Sequence, residues 1–137
     1  ALDHCNDLAW PGLHAPFVER MTVQRDGAWE PLGGLSFQRL TIPVQRFSAQ
    51  AMADVIYFDA FGPATQPEMW TLAVFQRMHE ALKPGGVLVT YCAKGEVRRT
   101  MQQAGFMVER LPGPPGKREM LRGRRRNADD TDGANGR

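Results

Sequence analysis

The chain of 137 residues has little of what usually announces a site. It has two cysteines, Cys5 and Cys92, without metal-type spacing; both read as free thiols, which fits a reducing compartment. Its three histidines, His4, His14 and His79, have no partners that suggest a metal or a triad, so no metal is expected. Neither the GxxxxGK[ST] phosphate loop nor the GxGxxG dinucleotide fingerprint occurs. Gly113-Pro114-Pro115-Gly116-Lys117 carries glycines, but its prolines remove backbone donors that a phosphate cradle requires, so it reads as a stiff shaping loop. No apolar run of transmembrane length is present, and the start lacks a basic-then-apolar signal. The expectation is therefore a cytoplasmic chain that does not enter a membrane. A net charge of +2 is too small to argue for nucleic acid by itself.

What the chain does have is enough apolar material for one modest core, 42% of its residues, and a charge distribution that is uneven. Lys94, Arg98, Arg99, Lys117, Arg118, Arg122 and the run Arg124 to Arg126 all fall in the last third. The organising stretch is Asp54 to Pro63. Val55, Ile56, Tyr57 and Phe58 read as a strand buried on both faces, because nothing in the run alternates polar with apolar. Asp59 then arrives at a strand end, where ligands bind in an open parallel α/β sheet; the competing reading is that it only caps the following segment.

Ala1 to Trp10 has the spacing of a helix end, and Phe17 to Arg25 and Leu35 to Phe47 read as strands, the second demoted to an edge by Pro43. From Pro67 the period becomes helical, with Val74 or Phe75, Met78 and Leu82 on one face, and Lys83-Pro84-Gly85-Gly86 closes the helix. Val87 to Ala93 reads as a second central strand, Glu96 to Ala104 as a helix, and Phe106 to Leu111 and Glu119 to Leu121 as strands joined by a tight loop. Residues 1–122 are thus expected to form one α/β unit, a mostly parallel sheet with a terminal antiparallel hairpin. Residues 123–137, mostly Arg, Asn, Asp and Gly with no apolar residue but Ala, are expected to be a disordered tail.

The segment Asp59-Ala60-Phe61-Gly62-Pro63 resembles the Asp-x-x-x-Pro segment after the fourth strand of some Rossmann-like methyltransferases that use S-adenosylmethionine. The likeness continues through Gln66-Pro67-Glu68-Met69-Trp70-Thr71, Leu82-Lys83-Pro84-Gly85-Gly86, Thr90 to Gly95, Val97-Arg98-Arg99, Ala104-Gly105-Phe106 and Pro112 to Leu121. Together these resemble the methyltransferase domain of the MnmC-like tRNA wobble-uridine-modifying family. The resemblance implies the C-terminal portion of a Rossmann-like methyltransferase sheet, tRNA as partner, and methyl transfer to the aminomethyl group of a wobble uridine. The Gly-rich turn and the acidic residue that hold S-adenosylmethionine in that family do not occur. The chain, which begins at Ala1, therefore reads as a fragment that binds the cofactor poorly unless a partner chain supplies the rest.

Methyl transfer to an alkylamine needs the amine unprotonated, and a carboxylate beside it can accept its proton; Asp59 is the candidate. Asp59, Ala60 and Phe61 are implied on the cofactor side. Phe61, Pro63, Trp70 and Tyr91 either wall the substrate or pack in the core. Lys94, Arg98, Lys117, Arg118 and Glu119 either meet the tRNA or form solvated faces, and Arg99 is read with Arg98. The alternative to an enzyme is a non-catalytic Rossmann-like remnant that binds RNA or protein. A truncated sheet would leave an exposed edge, open to a second copy or a complementing chain.

Overall fold

The computed structural model describes Glu19, residues 26–32 and residues 34–130, and divides the chain into two compact units, Ala1–Ile42 and Pro43–Arg137. In the first, β1 (Trp29–Leu32) and β2 (Leu35–Gln38) pair antiparallel, with Leu32 opposite Leu35. The sequence does not announce β1, because Pro31 argues against a strand; in a two-stranded ribbon its missing N–H can face outward. The strand expected over Leu35 to Phe47 stops at Gln38, and Pro43 leads into a 3-10 turn at Val44–Arg46. Of the strand expected over Phe17 to Arg25 only Glu19 is described, and the expected helix at Ala1 to Trp10 lies outside the described residues.

The second unit holds β3 (Ala53–Tyr57), α1 (Leu72–Ala81), β4 (Leu82–Thr90), α2 (Gly95–Gln103), β5 (Met107–Pro112) and β6 (Glu119–Arg124). The strands lie in the order β3-β4-β6-β5; β3 and β4 are parallel, and β6 is antiparallel to both of its neighbours. Three strands thus run one way, with β6 reversed by the expected terminal hairpin. Thr71 starts α1 by accepting the Val74 amide on its hydroxyl at 3.3 Å. Of the predicted apolar stripe, Val74, Phe75 and Met78 are buried on α1, Ala81 joins them, and Leu82, also buried, is the C-cap. Pro67–Met69 forms its own 3-10 turn rather than the helix's first turn. Leu82 both caps α1 and opens β4, so Lys83 to Gly86, expected as a loop, belong to the strand.

Phe58, Phe75, Leu82, Leu88, Val97, Met101, Phe106 and Leu121 form one buried cluster, each such side chain contributing about 1.5–3 kcal/mol by leaving water. Gly123 is where β6 passes beneath it: a Cβ there would stand 2.7 Å from Met101 Cε and 2.9 Å from Phe106 Cδ1. The expectation that β3 is buried on both faces is corrected. Ile56 packs against the core, but Val55 is 45% and Tyr57 82% exposed: among the described residues the face that these two share is left largely uncovered.

The disordered tail expected from residue 123 is likewise corrected as far as residue 130. Gly123 and Arg124 complete β6, and the Arg125 amide donates to the Gly86 carbonyl at 2.9 Å. Arg125 Nη1 donates to the carbonyls of His79, Glu80 and Leu82 at 3.1, 3.1 and 2.6 Å. These are terminal carbonyls of α1 without helical partners, at its negative end, so a guanidinium satisfies both their hydrogen bonds and their charge. Composition alone reads this arginine as solvated; Residues 131–137 lie outside the described residues. No helix among the described residues is long and apolar enough to cross a membrane.

The loop after β3 is held from behind. Phe58 meets Trp70 edge-on at 5.1 Å and Phe75 at 5.4 Å between ring centroids, and Trp70 Nε1 donates to the Phe61 carbonyl at 2.7 Å. The Gly62 carbonyl accepts both the Thr65 and Gln66 amides at 2.9 Å. Trp70→Phe keeps an aromatic ring and removes the donor; it should cost about 1 kcal/mol and speed amide exchange at Thr65 and Gln66, and unchanged exchange would show that the bond does not hold the loop.

His79 packs edge-on against Phe106 at 5.1 Å. Burial, then the Arg125 charge, hold its imidazole below the ordinary 6.5, against opposing contributions from Glu80 and a hydrogen bond to the Gly105 backbone. The folded protein therefore favours the neutral ring. Stability is full above the unfolded value of 6.5 and is lost as pH falls through the lowered folded value. Urea titrations between about pH 7.5 and pH 5 should show that decline, and His79→Gln should flatten this part of it.

Candidate active site at the carboxyl end of the sheet

Strand register decides which of the sequence-predicted residues meet. Tyr57 lies opposite Val89, so Asp59, two residues on, reaches the level of Tyr91; Thr90 lies opposite Leu121, which puts Tyr91 beside Met120. Pro112 lies opposite Glu119, so the turn from Gly113 to Arg118 stands at this same end of the sheet. Parallel pairing of β3 and β4 thus delivers Asp59 and Tyr91 to one edge, with α2 beginning just after Lys94.

Asp59 is exposed and makes no hydrogen bond or ion pair with any described residue. Among the described residues no amide of the segment that follows donates to its side chain, so the capping reading of Asp59 finds no bond here. Tyr57, Phe58, Asp59, Val89, Thr90, Tyr91 and Met120 line a notch of about 30 Å³, room for about one water. Thr90, buried, spends its hydroxyl on the Cys92 amide at 3.3 Å. Tyr57 and Met120 escaped the sequence reading. The signal for Tyr57 was present, since period-two alternation puts it on the face of Asp59, but the run was read as buried throughout.

Other candidates fall elsewhere. Trp70 is 8% exposed, and its N–H is used on Phe61: it is a core residue that shapes the loop, not a free stacking surface. Phe61 is 74% exposed and Tyr91 49%. Pro63 lies in a separate groove with Pro67, Trp70, Glu96, Val97 and Thr100. Ala60 packs partly buried against the core cluster.

The basic residues divide in the same way. Lys94 is exposed at the N-cap of α2, while Arg98 is half-buried with its Nε unpartnered. Lys117 and Arg118 are exposed and unpaired on the β5–β6 turn. That turn is closed by the Lys117 amide on the Pro114 carbonyl at 2.9 Å and by Gly113, where a Cβ would lie 2.5 Å from the Lys117 carbonyl oxygen. Glu119 faces Arg110 at 3.5 Å and so is occupied within the hairpin. Among the described residues no group of three or more His, Cys, Asp or Glu side chains is placed to hold a metal ion.

Whether these residues suit S-adenosyl-L-methionine can be judged from the space beside Asp59. A notch for one water does not enclose a nucleoside, and Phe61 turns outward. Asp59 and Phe61, both exposed, offer an open edge rather than a pocket, so the residues present do not enclose the cofactor.

Residues 38–126, well over half of the chain, match the model of a family described as S-adenosyl-L-methionine-dependent methyltransferase. Two curated relatives carry the name tRNA 5-methylaminomethyl-2-thiouridine biosynthesis bifunctional protein MnmC. That of Nitrosospira multiformis is 46% identical over 124 residues, covering 83% of this chain and 20% of the relative. That of Aromatoleum aromaticum is 41% identical over 75 residues, covering 55% and 12%. The chain spans a fifth or less of the length of these relatives. Among solved structures, MnmC2 from Aquifex aeolicus superposes with a TM-score of 0.65 at 24% identity, over 80% of this chain and 35% of that one. The 1,6-didemethyltoxoflavin-N1-methyltransferase of Burkholderia thailandensis, solved with S-adenosylhomocysteine, gives 0.50 at 16% identity, over 82% and 56%. Both structural likenesses speak to the fold. On the family match, the chain belongs to the S-adenosyl-L-methionine-dependent methyltransferases.

Proposed function

We propose that this chain serves methyl transfer to the aminomethyl group of a wobble uridine in tRNA, working in the cytoplasm. The observation that carries the reading is the unpaired Asp59 carboxylate at the carboxyl end of β3, in a sheet of the methyltransferase family. The curated relatives' names supply the substrate class.

An alkylamine resembles a lysine side chain, with an ordinary pKa near 10.4, and arrives as an ammonium that has no lone pair to offer. Asp59, open to solvent, accepts one of its protons and passes it to water, which leaves the amine as nucleophile and Asp59 again a carboxylate whose negative charge favours the positive charge that grows on nitrogen. Tyr57, Phe61 and Tyr91 expose aromatic surface beside Asp59, which suits stacking by an extruded uracil. Lys94, Lys117 and Arg118, unpaired at the same sheet end, suit the phosphates.

The open edge beside Asp59 also favours a second reading, a non-catalytic module that binds RNA or protein. Titration calorimetry separates the two: no heat with S-adenosyl-L-methionine on a folded sample supports the module for this chain alone. The β3 edge, which has no partner strand among the described residues, further suits a second copy or a complementing chain.

Asp59→Asn should lower methylation of aminomethyl-uridine tRNA by roughly 10²–10⁴ in a preparation where the unsubstituted protein is active, with RNA affinity retained; an unchanged rate removes Asp59 from the chemistry. Lys117→Ala with Arg118→Ala should weaken tRNA binding uniformly across sequences and lower the salt slope by about one per cation removed, as read by filter binding over a salt series.

A further inference from the structure

The groove lined by Pro63, Pro67, Trp70, Glu96, Val97 and Thr100 has a volume of about 230 Å³. That lies below the range of about 300–1,000 Å³ of sites for drug-sized ligands, and suits one ring system rather than a whole nucleotide. Its chemistry is lopsided. Trp70 and Val97 are buried and apolar, and the two prolines have no N–H to offer. The Trp70 N–H is committed to the Phe61 carbonyl at 2.7 Å, and the Thr100 hydroxyl to the Glu96 carbonyl at 2.9 Å. The one unused polar side-chain group of the lining is the Glu96 carboxylate, exposed and without a partner among the described residues. Such a site takes a flat ring that presents hydrogen-bond donors at its edge. The groove also shares a loop with the candidate active site, since Pro63 follows Asp59 by four residues, and Lys94, an unpaired cation, stands just ahead of Glu96 at the start of α2.

We propose that this groove binds the base of a nucleotide flanking the modified uridine, one whose Watson–Crick edge donates to Glu96, with Lys94 on its phosphate. The proposal rests on the tRNA reading of the site and adds to it a second base contact. An adenine amine, a cytosine amine or the paired donors of guanine satisfy the carboxylate; uracil, whose one ring N–H lies between two carbonyls, does not.

The test uses the full chain and fluorescein-labelled anticodon stem-loop RNA, read by anisotropy. The RNA is intact, abasic at either neighbour of the wobble uridine, or carries uracil there. One of the two abasic RNAs should bind the unsubstituted protein about tenfold more weakly, the low end of the range for one base stacked in a protein site. Thr100→Phe, which fills the groove, should weaken the intact RNA by a similar factor, and the two losses should not compound. Glu96→Gln keeps the shape of the groove and should bind the uracil RNA better than the unsubstituted protein does. Losses that simply multiply, or an unchanged preference in Glu96→Gln, overturn the groove assignment while leaving the tRNA reading intact. An unsubstituted protein that binds no anticodon stem-loop overturns both.

Discussion

The edge-on contact of Phe58 with Trp70, completed by the Trp70 N–H on the Phe61 carbonyl, is the constraint on which the site depends. Phe58 is the first residue past β3 and is still tied to Val89 by its amide. Trp70 precedes the N-cap of α1. One buried indole therefore joins the strand end, the following loop and the helix start. Without it the chain between Asp59 and Thr71 would be left to the turns at Gly62 and Pro67–Met69 and to Gln45, whose Nε2 donates to the Glu68 carbonyl at 3.2 Å. With it Asp59 is carried on a fixed backbone, and its carboxylate has no partner among the described residues.

The same economy shows in the way polar groups are spent. Thr71 caps α1, Arg125 closes its other end, Thr90 takes the Cys92 amide and Thr100 takes the Glu96 carbonyl. These bonds stabilise local geometry, since a buried donor or acceptor left unmade costs about 1–3 kcal/mol. Among the described residues, Asp59, Lys94, Glu96, Lys117 and Arg118, around the carboxyl end of the sheet, have no such partner. Charge left unpaired at that end is available to a ligand, and the mixed sign suits the RNA proposed above, which brings both phosphates and base donors.

Much of the fold of the second unit was legible because its elements are strongly periodic. The stripe Val74, Phe75, Met78 and the run Val87 to Thr90 differ plainly in period, and burial follows each. The hairpin of β5 and β6 was legible from its glycines and prolines. Boundaries were not, since Leu82 serves helix and strand together, and composition misled at Arg125, where three carbonyls convert a solvated arginine into a helix cap. Tyr57 was misjudged for a related reason: an apolar run shows that a strand can be buried, while what covers each face depends on elements distant in sequence.

The sequence by itself determined the element order of the second unit, the family resemblance and the carboxylate at a strand end, because these are properties of neighbouring residues. Tertiary structure alone decided that Asp59 is unpaired and that Trp70 belongs to the core. It alone placed Tyr57, Tyr91 and Met120 with Asp59, and gave Pro63 and Glu96 a groove apart from them. Each of these rests on strand register and on which polar group finds a partner first. Both are settled between segments tens of residues apart, where local propensity carries no information.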